Sequence, residues 1–69
     1  MKNQLNKIRK IKLTIQNKIE ARNAFYDNRS TKWLYSDKSE VYVHKTYELE
    51  SALRDLQAVI DSLENYVSL

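Results

Sequence analysis

Hydrophobic positions divide the chain into two segments of helical period, separated by a short polar stretch. Over residues 1–27 the apolar positions recur every three or four residues, and most fall on one arc when successive residues are turned by about 100°. The members of this stripe are Leu5, Ile8, Ile11, Ile15, Ile19 and Tyr26. The pattern predicts a first helix over about 3–27.

Residues 46–69 show a stronger repeat, in which the spacings alternate between three and four. This alternation is typical of the a and d positions of a coiled coil. Leu53, Ile60 and Val67 flank the repeat on one side and widen it to a face of the kind found in helical bundles. The positions of the repeat itself are Leu49, Ala52, Leu56, Val59, Leu63 and Tyr66.

The stretch between these segments begins with Tyr-Asp-Asn-Arg-Ser at residues 26–30. Asp, Asn and Ser side chains bond their own backbone, so they favour turns and caps over helix interiors. Further on, Asp37 and Glu40 match the N-cap and N3 positions of a capping box. We therefore expect a corner over 28–36 with a short helical turn near 30–35, then a second helix over about 37–67.

A β-hairpin over residues 33–47 is the competing interpretation. The segment Glu-Val-Tyr-Val-His-Lys-Thr-Tyr at 40–47 is rich in β-branched and aromatic residues, and Lys-Trp-Leu-Tyr at 32–35 is a candidate strand to pair with it. The intervening Ser-Asp-Lys-Ser has no Gly or Asn for a tight turn, and an isolated hairpin is barely stable. Weak helix propensity over 41–47 leaves this alternative open.

The composition narrows the fold class and the kinds of site. The chain has 69 residues with no Gly, Pro or Cys and a single His. It therefore lacks a disulfide, a thiolate metal site and a glycine-rich phosphate loop, and we expect no metal or cofactor. A domain this small usually needs a source of stability beyond its core, such as a disulfide, a metal ion or self-association. Of these, self-association is the one that remains.

We accordingly expect one all-α domain, an antiparallel helical hairpin that pairs as a homodimer into a four-helix bundle. Stripe residues from both helices would build its core and its self-association surface. Those residues are Leu5, Ile8, Ile15, Ile19, Leu49, Leu56, Ile60 and Leu63.

The corner also carries a resemblance. The segment Arg-Ser-Thr-Lys-Trp-Leu-Tyr-Ser-Asp-Lys-Ser-Glu-Val-Tyr at 29–42, followed by the acidic heptad helix, resembles a pattern in small bacteriophage proteins without a characterised activity. The resemblance covers about the C-terminal 40 residues, and it departs from the pattern at 41–43, which is usually more strongly helical. It implies a helical hairpin and a phage origin, and no activity. The matching positions are Arg29, Ser30, Lys32, Trp33, Ser36 and Lys38.

Charge is unevenly distributed along the chain. Residues 1–24 hold seven Lys or Arg and one acid, whereas residues 46–69 hold five acids and one Arg. A basic helix suits nucleic acid because phosphate contacts release counterions, but the same charges also suit a solvated face that is partly neutralised by the acidic helix. The candidate nucleic-acid contacts are Lys7, Arg9, Lys10, Lys18, Arg29 and Lys32.

Aromatic residues at the corner are the candidates for protein binding. Trp33 and Tyr35 suit a partner's hot spot, although a lone Trp beside a helical corner more often closes a small core. His44 has Glu40 and Glu48 one helical turn away, but the sequence has no nucleophile or metal site for such a pair to serve. We therefore expect no catalytic residue.

The functional prediction is a non-enzymatic interaction protein, a phage-encoded accessory factor that binds and modulates a host or phage protein. The alternative is a nucleic-acid-binding protein that uses the basic face of the first helix. With no apolar run of membrane-spanning length and no signal-peptide pattern, we expect a cytoplasmic protein with no membrane partner.

Overall fold

The computed structural model describes all 69 residues and consists of three helices joined by short connections. Helix α1 spans Lys2–Asp27, α2 spans Thr31–Leu34 and α3 spans Asp37–Ser68. Helices α1 and α3 lie side by side and antiparallel, so the molecule is a rod of 54 × 14 × 12 Å. The prediction of an all-α helical hairpin is confirmed, and each long helix begins and ends within one residue of its predicted bounds. No helix combines the length and apolar character needed to span a bilayer.

The β-hairpin alternative is wrong, because residues 41–47 lie inside α3. Their β-branched and aromatic side chains suit a strand locally, but three of them face α1 instead. Tyr42 and Val43 are partly buried there and Thr46 is buried. Contacts with a second helix outweigh the weak helix propensity of this segment.

The corner turns without any residue of positive φ, which explains how a chain with no glycine closes a hairpin. Asn28 ends α1 with φ −96° and ψ 6°, and its side-chain amide donates to the carbonyl of Ala24 at 2.8 Å. Ser30 then caps α2, since its Oγ accepts the backbone N–H of Trp33 at 3.2 Å. The polar residues of the corner thus satisfy helix ends.

Helix α3 starts differently from the predicted capping box. Ser36 is the N-cap residue and Asp37 is the first helical residue, so the cap lies one residue earlier in the chain than the capping box predicts. The Ser36 hydroxyl donates to the carbonyl of Trp33 and makes no side-chain cap. Asp37 and Glu40 both lie in the first turn, where a negative charge is favoured by the helix dipole.

The face of α1 that packs on α3 follows a strict heptad alternation in which two positions are polar. Lys12 and Arg22 occupy seam positions and are partly buried, whereas Ile11 of the predicted stripe is exposed. An antiparallel pair of helices buries one line of side chains, and Ile11 lies beside that line. The α1 seam is Leu5, Ile8, Lys12, Ile15, Ile19, Arg22 and Tyr26.

The face of α3 that packs on α1 is rotated from the predicted repeat. Three of the predicted positions, Ala52, Val59 and Tyr66, are exposed. The three residues predicted to flank the repeat take their place. The apolar arc of α3 is wider than one neighbouring helix covers, so α1 buries only one side of it. The α3 seam is Ser39, Tyr42, Thr46, Leu49, Leu53, Leu56, Ile60, Leu63 and Val67.

The core between the helices is shallow. Leu5, Ile19 and Ile60 are the only buried apolar residues, and even Ile60 keeps 2% of its surface exposed. The other predicted core residues, Ile8, Ile15, Leu49, Leu56 and Leu63, lie on the seam but are partly buried. Two helices present one line of contact to each other, so each apolar stripe keeps a side in water.

We expect Ile60→Ala to lower the free energy of unfolding by about 2–3 kcal/mol, because it removes buried methylenes and leaves a cavity. Leu13→Ala is the matched control, since Leu13 is 57% exposed and Ala is an equally good helix former. Its expected cost is below about 0.5 kcal/mol. Urea unfolding followed by circular dichroism at the same protein concentration measures both. Equal losses for the two variants would contradict the seam described above.

Candidate interaction surfaces

Trp33 lies inside an aromatic cluster at the corner. Its ring meets Phe25, Tyr26 and Tyr42 edge-on at centroid distances of 6.0, 6.1 and 5.6 Å. Phe25 also stacks on Tyr42 at 5.1 Å. Edge-on and offset contacts of this kind add stabilisation beyond area burial. The cluster joins the end of α1, helix α2 and the start of α3, so Trp33 closes this end of the hairpin.

Tyr35, the second aromatic candidate at the corner, lies apart from the cluster. It follows α2 directly and is 88% exposed, with no aromatic ring or hydrogen-bonding side chain in contact. The two candidates for partner binding therefore differ. Trp33 is partly buried and already packed, whereas Tyr35 is largely exposed to solvent.

Arg22 connects the two long helices next to the aromatic cluster. Its Nε donates to Thr46 Oγ1 at 3.0 Å, and its Nη2 donates to the carbonyl of Tyr42 at 2.9 Å. The guanidinium lies 4.0 Å from the centroid of the Tyr42 ring, a cation–π contact. In return, the Tyr42 hydroxyl donates to the carbonyl of Arg22 at 3.1 Å. No carboxylate lies within 4.0 Å of Arg22.

These contacts were not predicted from the sequence, yet a signal for them exists. Arg22 stands three residues after Ile19 and four before Tyr26, in the register of the apolar stripe. Thr46 likewise stands in the apolar register of α3, four residues after Tyr42 and three before Leu49. A polar residue in an apolar register either faces solvent or finds a polar partner across the seam. In this structure Arg22 and Thr46 are polar partners of this kind, and they hydrogen-bond to each other.

The candidate nucleic-acid residues are all exposed, and most of them form no ion pair. Arg9 Nη2 contacts Glu64 Oε1 at 2.8 Å, the one ion pair between the helices. Arg29 lies over the Phe25 ring at 4.1 Å. The four lysines of the set have no carboxylate within 4.0 Å, so the expected neutralisation by α3 is confined to Arg9. These lysines are Lys7, Lys10, Lys18 and Lys32.

The acid–base pair considered for His44 is exposed to solvent. His44 Nε2 lies 3.7 Å from Glu48 Oε1, and both side chains are more than two-thirds exposed. No group of three or more His, Asp or Glu side chains lies close enough to hold a metal ion. The pair has no enclosed pocket around it, and a contact of this kind contributes little to stability.

The seam leaves two flanks along the rod, and they differ in polarity. The polar flank contains the Arg9–Glu64 contact, and heptad spacing places polar residues along it until Val43 near the corner. It comprises Arg9, Gln16 and Asn23 of α1 and Glu50, Gln57 and Glu64 of α3. The same spacing on the opposite side gives Gln4, Ile11, Lys18 and Phe25 of α1 and Lys45, Ala52, Val59 and Tyr66 of α3. We call the apolar stretch on this side, Ile11 of α1 with Ala52, Val59 and Tyr66 of α3, the apolar flank.

A shallow groove of about 450 Å³ lies on the polar-flank side near the corner. Its floor is apolar and aromatic, and exposed Tyr47 stands at its edge. Glu40 and His44 border it. A second depression continues from it along the rod towards Glu50. We call this feature the Tyr47 groove; its apolar residues are Tyr26, Leu34, Val43 and Tyr47.

Comparison with known proteins returned no relative. No family model matches the chain, and no curated protein or solved structure shows significant similarity to it. What the chain does must therefore be argued from its own surfaces.

We expect Arg22→Lys to destabilise the protein by about 1–2 kcal/mol, because an ammonium cannot reproduce the forked contacts to Thr46 and the Tyr42 carbonyl. Arg9→Lys is the matched control, and it is expected to cost below about 0.5 kcal/mol because the Arg9–Glu64 pair is exposed. Thermal unfolding of both variants checks the difference. If Arg9→Lys costs as much as Arg22→Lys, the Arg22 contacts do not stabilise the hairpin.

Proposed function

We propose that the protein is a non-enzymatic interaction protein of the cytoplasm, which binds another protein and modulates it. The observation that carries the proposal is the imbalance between buried and exposed apolar residues. Three apolar residues are buried, whereas ten large apolar residues are exposed. A rod of this form offers helix faces and shallow grooves, which suit the binding of another protein surface.

The Tyr47 groove is the proposed site for that protein. It combines an exposed aromatic residue with a floor of side chains that the hairpin holds in place. Tyr26 and Leu34 are partly buried and Val43 lies beside them, while Tyr47 stands exposed at the edge. Tyrosine at the edge of an apolar depression is typical of residues that dominate binding energy. Tyr35, exposed at the nearby corner, extends this surface.

The charge around the groove indicates the chemistry of the partner. Glu40 borders the groove, Glu50 borders its continuation, and neither has a basic side chain within 4.0 Å. A partner segment in which an apolar side chain is flanked by Lys or Arg would fill the groove and form ion pairs with these carboxylates. The resemblance of residues 29–42 to phage proteins supports a phage-encoded accessory factor, whose partner is a host or phage protein.

We expect Tyr47→Ala to reduce the recovery of such a partner about tenfold, the effect of losing about 1.4 kcal/mol of binding free energy. Leu13→Ala is the control, because Leu13 is comparably exposed but lies on α1, away from both the Tyr47 groove and the apolar flank. The measurement is quantitative mass spectrometry of proteins captured from nuclease-treated cytoplasmic extract at high salt. Equal recovery by wild type and Tyr47→Ala, or no protein above the level of empty resin, would reject the groove as the site.

A second function is favoured by one observation, which is that the exposed lysines of α1 form no ion pairs. Lys7, Lys10 and Lys18 lie within an arc of about 80° when successive residues are turned by 100°. None contacts a carboxylate, so all three are available for phosphate. The alternative is therefore a nucleic-acid-binding protein in which α1 lies along the phosphate backbone. Arg29 and Lys32 lie at the far end of the same molecule and would extend that contact.

For this alternative we expect binding to fall steeply with salt, by about 0.9 in the slope of log K against log salt for each phosphate contacted. Changing Lys7, Lys10 and Lys18 together to Gln should flatten the slope. Arg54→Gln, an exposed charge on α3, is the control and should leave it unchanged. Fluorescence anisotropy with labelled single- and double-stranded DNA measures the slopes. A slope that the triple variant does not alter counts against α1 as the binding element.

A further inference from the structure

The apolar flank is the part of the surface that the hairpin leaves without a partner. Val59 is 47% exposed and Tyr66 is 65% exposed, although both belong to the heptad repeat of α3. Ile11 of α1 is exposed at the level of Val59, as the Arg9–Glu64 and Arg22–Thr46 contacts set the alignment of the helices. Beneath these residues lie partly buried seam residues, namely Ile8, Ile15, Leu56 and Leu63.

The polar flank, by contrast, is suited to contact with water and needs no covering partner. The only interhelical ion pair lies there, and the remaining positions along most of its length carry amides and carboxylates. A helix pair with one apolar side and one polar side typically packs its apolar side against another protein surface. The chain has no cysteine, and none of its side chains is fully buried. A domain of this size usually needs association to be stable.

The charges that border the apolar flank indicate what covers it. Along the α1 edge run Lys7 and Lys18, and along the α3 edge Glu48 and Asp55 border the apolar flank, with Lys45 nearer the corner. None of these five side chains has an oppositely charged Lys, Arg, Asp or Glu within 4.0 Å. A surface with one basic and one acidic edge is complementary to a second copy of itself that is turned so that the edges exchange.

We propose that two copies of the chain pair through the apolar flank, about a two-fold axis parallel to the helices, so that each α1 lies against the α3 of the partner subunit. A two-fold axis perpendicular to the helices would instead place α1 on α1 and bring the basic edges together. The parallel axis makes every pair of neighbouring helices antiparallel and opposite in charge. The result is a four-helix bundle in which α1 touches two acidic helices.

The symmetry also sets the register across the interface. A two-fold axis parallel to the helices adds no shift along them, so each residue keeps the level that it has in the hairpin. Lys18 then faces Ala52 of the partner subunit, with the partner subunit's Glu48 and Asp55 one turn to either side. The Tyr47 groove lies on the opposite side of the rod and stays open, so this pairing does not depend on the proposed function.

The association is tested by light scattering after size exclusion. We expect the wild type at twice the chain mass of 8.2 kDa and both Val59→Glu and Tyr66→Glu at the single mass, with helical circular dichroism retained. The two positions are exposed in the hairpin, so neither change buries a charge within one chain. Leu13→Glu, exposed away from the apolar flank, should remain a dimer. A monomeric wild type, or folded flank variants that stay dimeric, would overturn the proposal.

The symmetry is tested by disulfide formation, since the chain has no cysteine of its own. Lys18→Cys chains mixed with Ala52→Cys chains should form a mixed disulfide dimer under mild oxidation, in several-fold excess over disulfides within either variant alone. A mixture of Leu13→Cys and Ala52→Cys chains should not. If Lys18→Cys links mainly to itself, α1 lies on α1 and the proposed axis is wrong.

Discussion

A single line of contact between α1 and α3 is the constraint on which the rest of the structure depends. Two helices share only one seam, and in this chain the seam buries three apolar residues. Everything else about the molecule follows from that limit. The rod is only 12–14 Å wide, each apolar stripe keeps one side in water, and the flanks rather than an interior pocket are the surfaces available for function. Burial of this size leaves little margin of stability for a 69-residue chain.

The corner limits how the seam is aligned. The aromatic cluster around Trp33 ties α2 to both long helices, and Arg22 bonds the Tyr42 carbonyl and Thr46 across the seam. Leucine and isoleucine pack against each other in several registers, whereas hydrogen bonds have narrow geometric requirements. A polar layer inside an apolar seam therefore selects one register, in the way that a buried polar residue does in coiled coils. At the other end the Arg9–Glu64 contact agrees with the same register, although it is exposed and contributes little energy.

The functional proposals follow from the difference between the two sides of the rod. One side offers the Tyr47 groove with its acidic border, and the other offers the apolar flank between a basic edge and an acidic edge. The two surfaces do not overlap, so one chain has room for a second copy and for a different protein at once. The lysines of α1 that form no ion pair have a role in both the dimer proposal and the nucleic-acid alternative. In a bundle some of them would meet acids of the partner subunit, which would leave fewer for phosphate.

The sequence by itself determined the helices, their bounds and the corner, because these depend on local periodicity and on residues that cap or turn the chain. It also identified Trp33 as a residue of the corner and separated the basic helix from the acidic one. It did not determine which side of the α3 stripe would be buried, since both sides stand at heptad spacing from Leu49, Leu56 and Leu63: Leu53, Ile60 and Val67 on one side and Ala52, Val59 and Tyr66 on the other. Only the tertiary structure decided between them. The short corner and the Arg22 contacts hold α1 at one angle around α3, and hydrophobicity alone is non-directional and carries no preference for that angle.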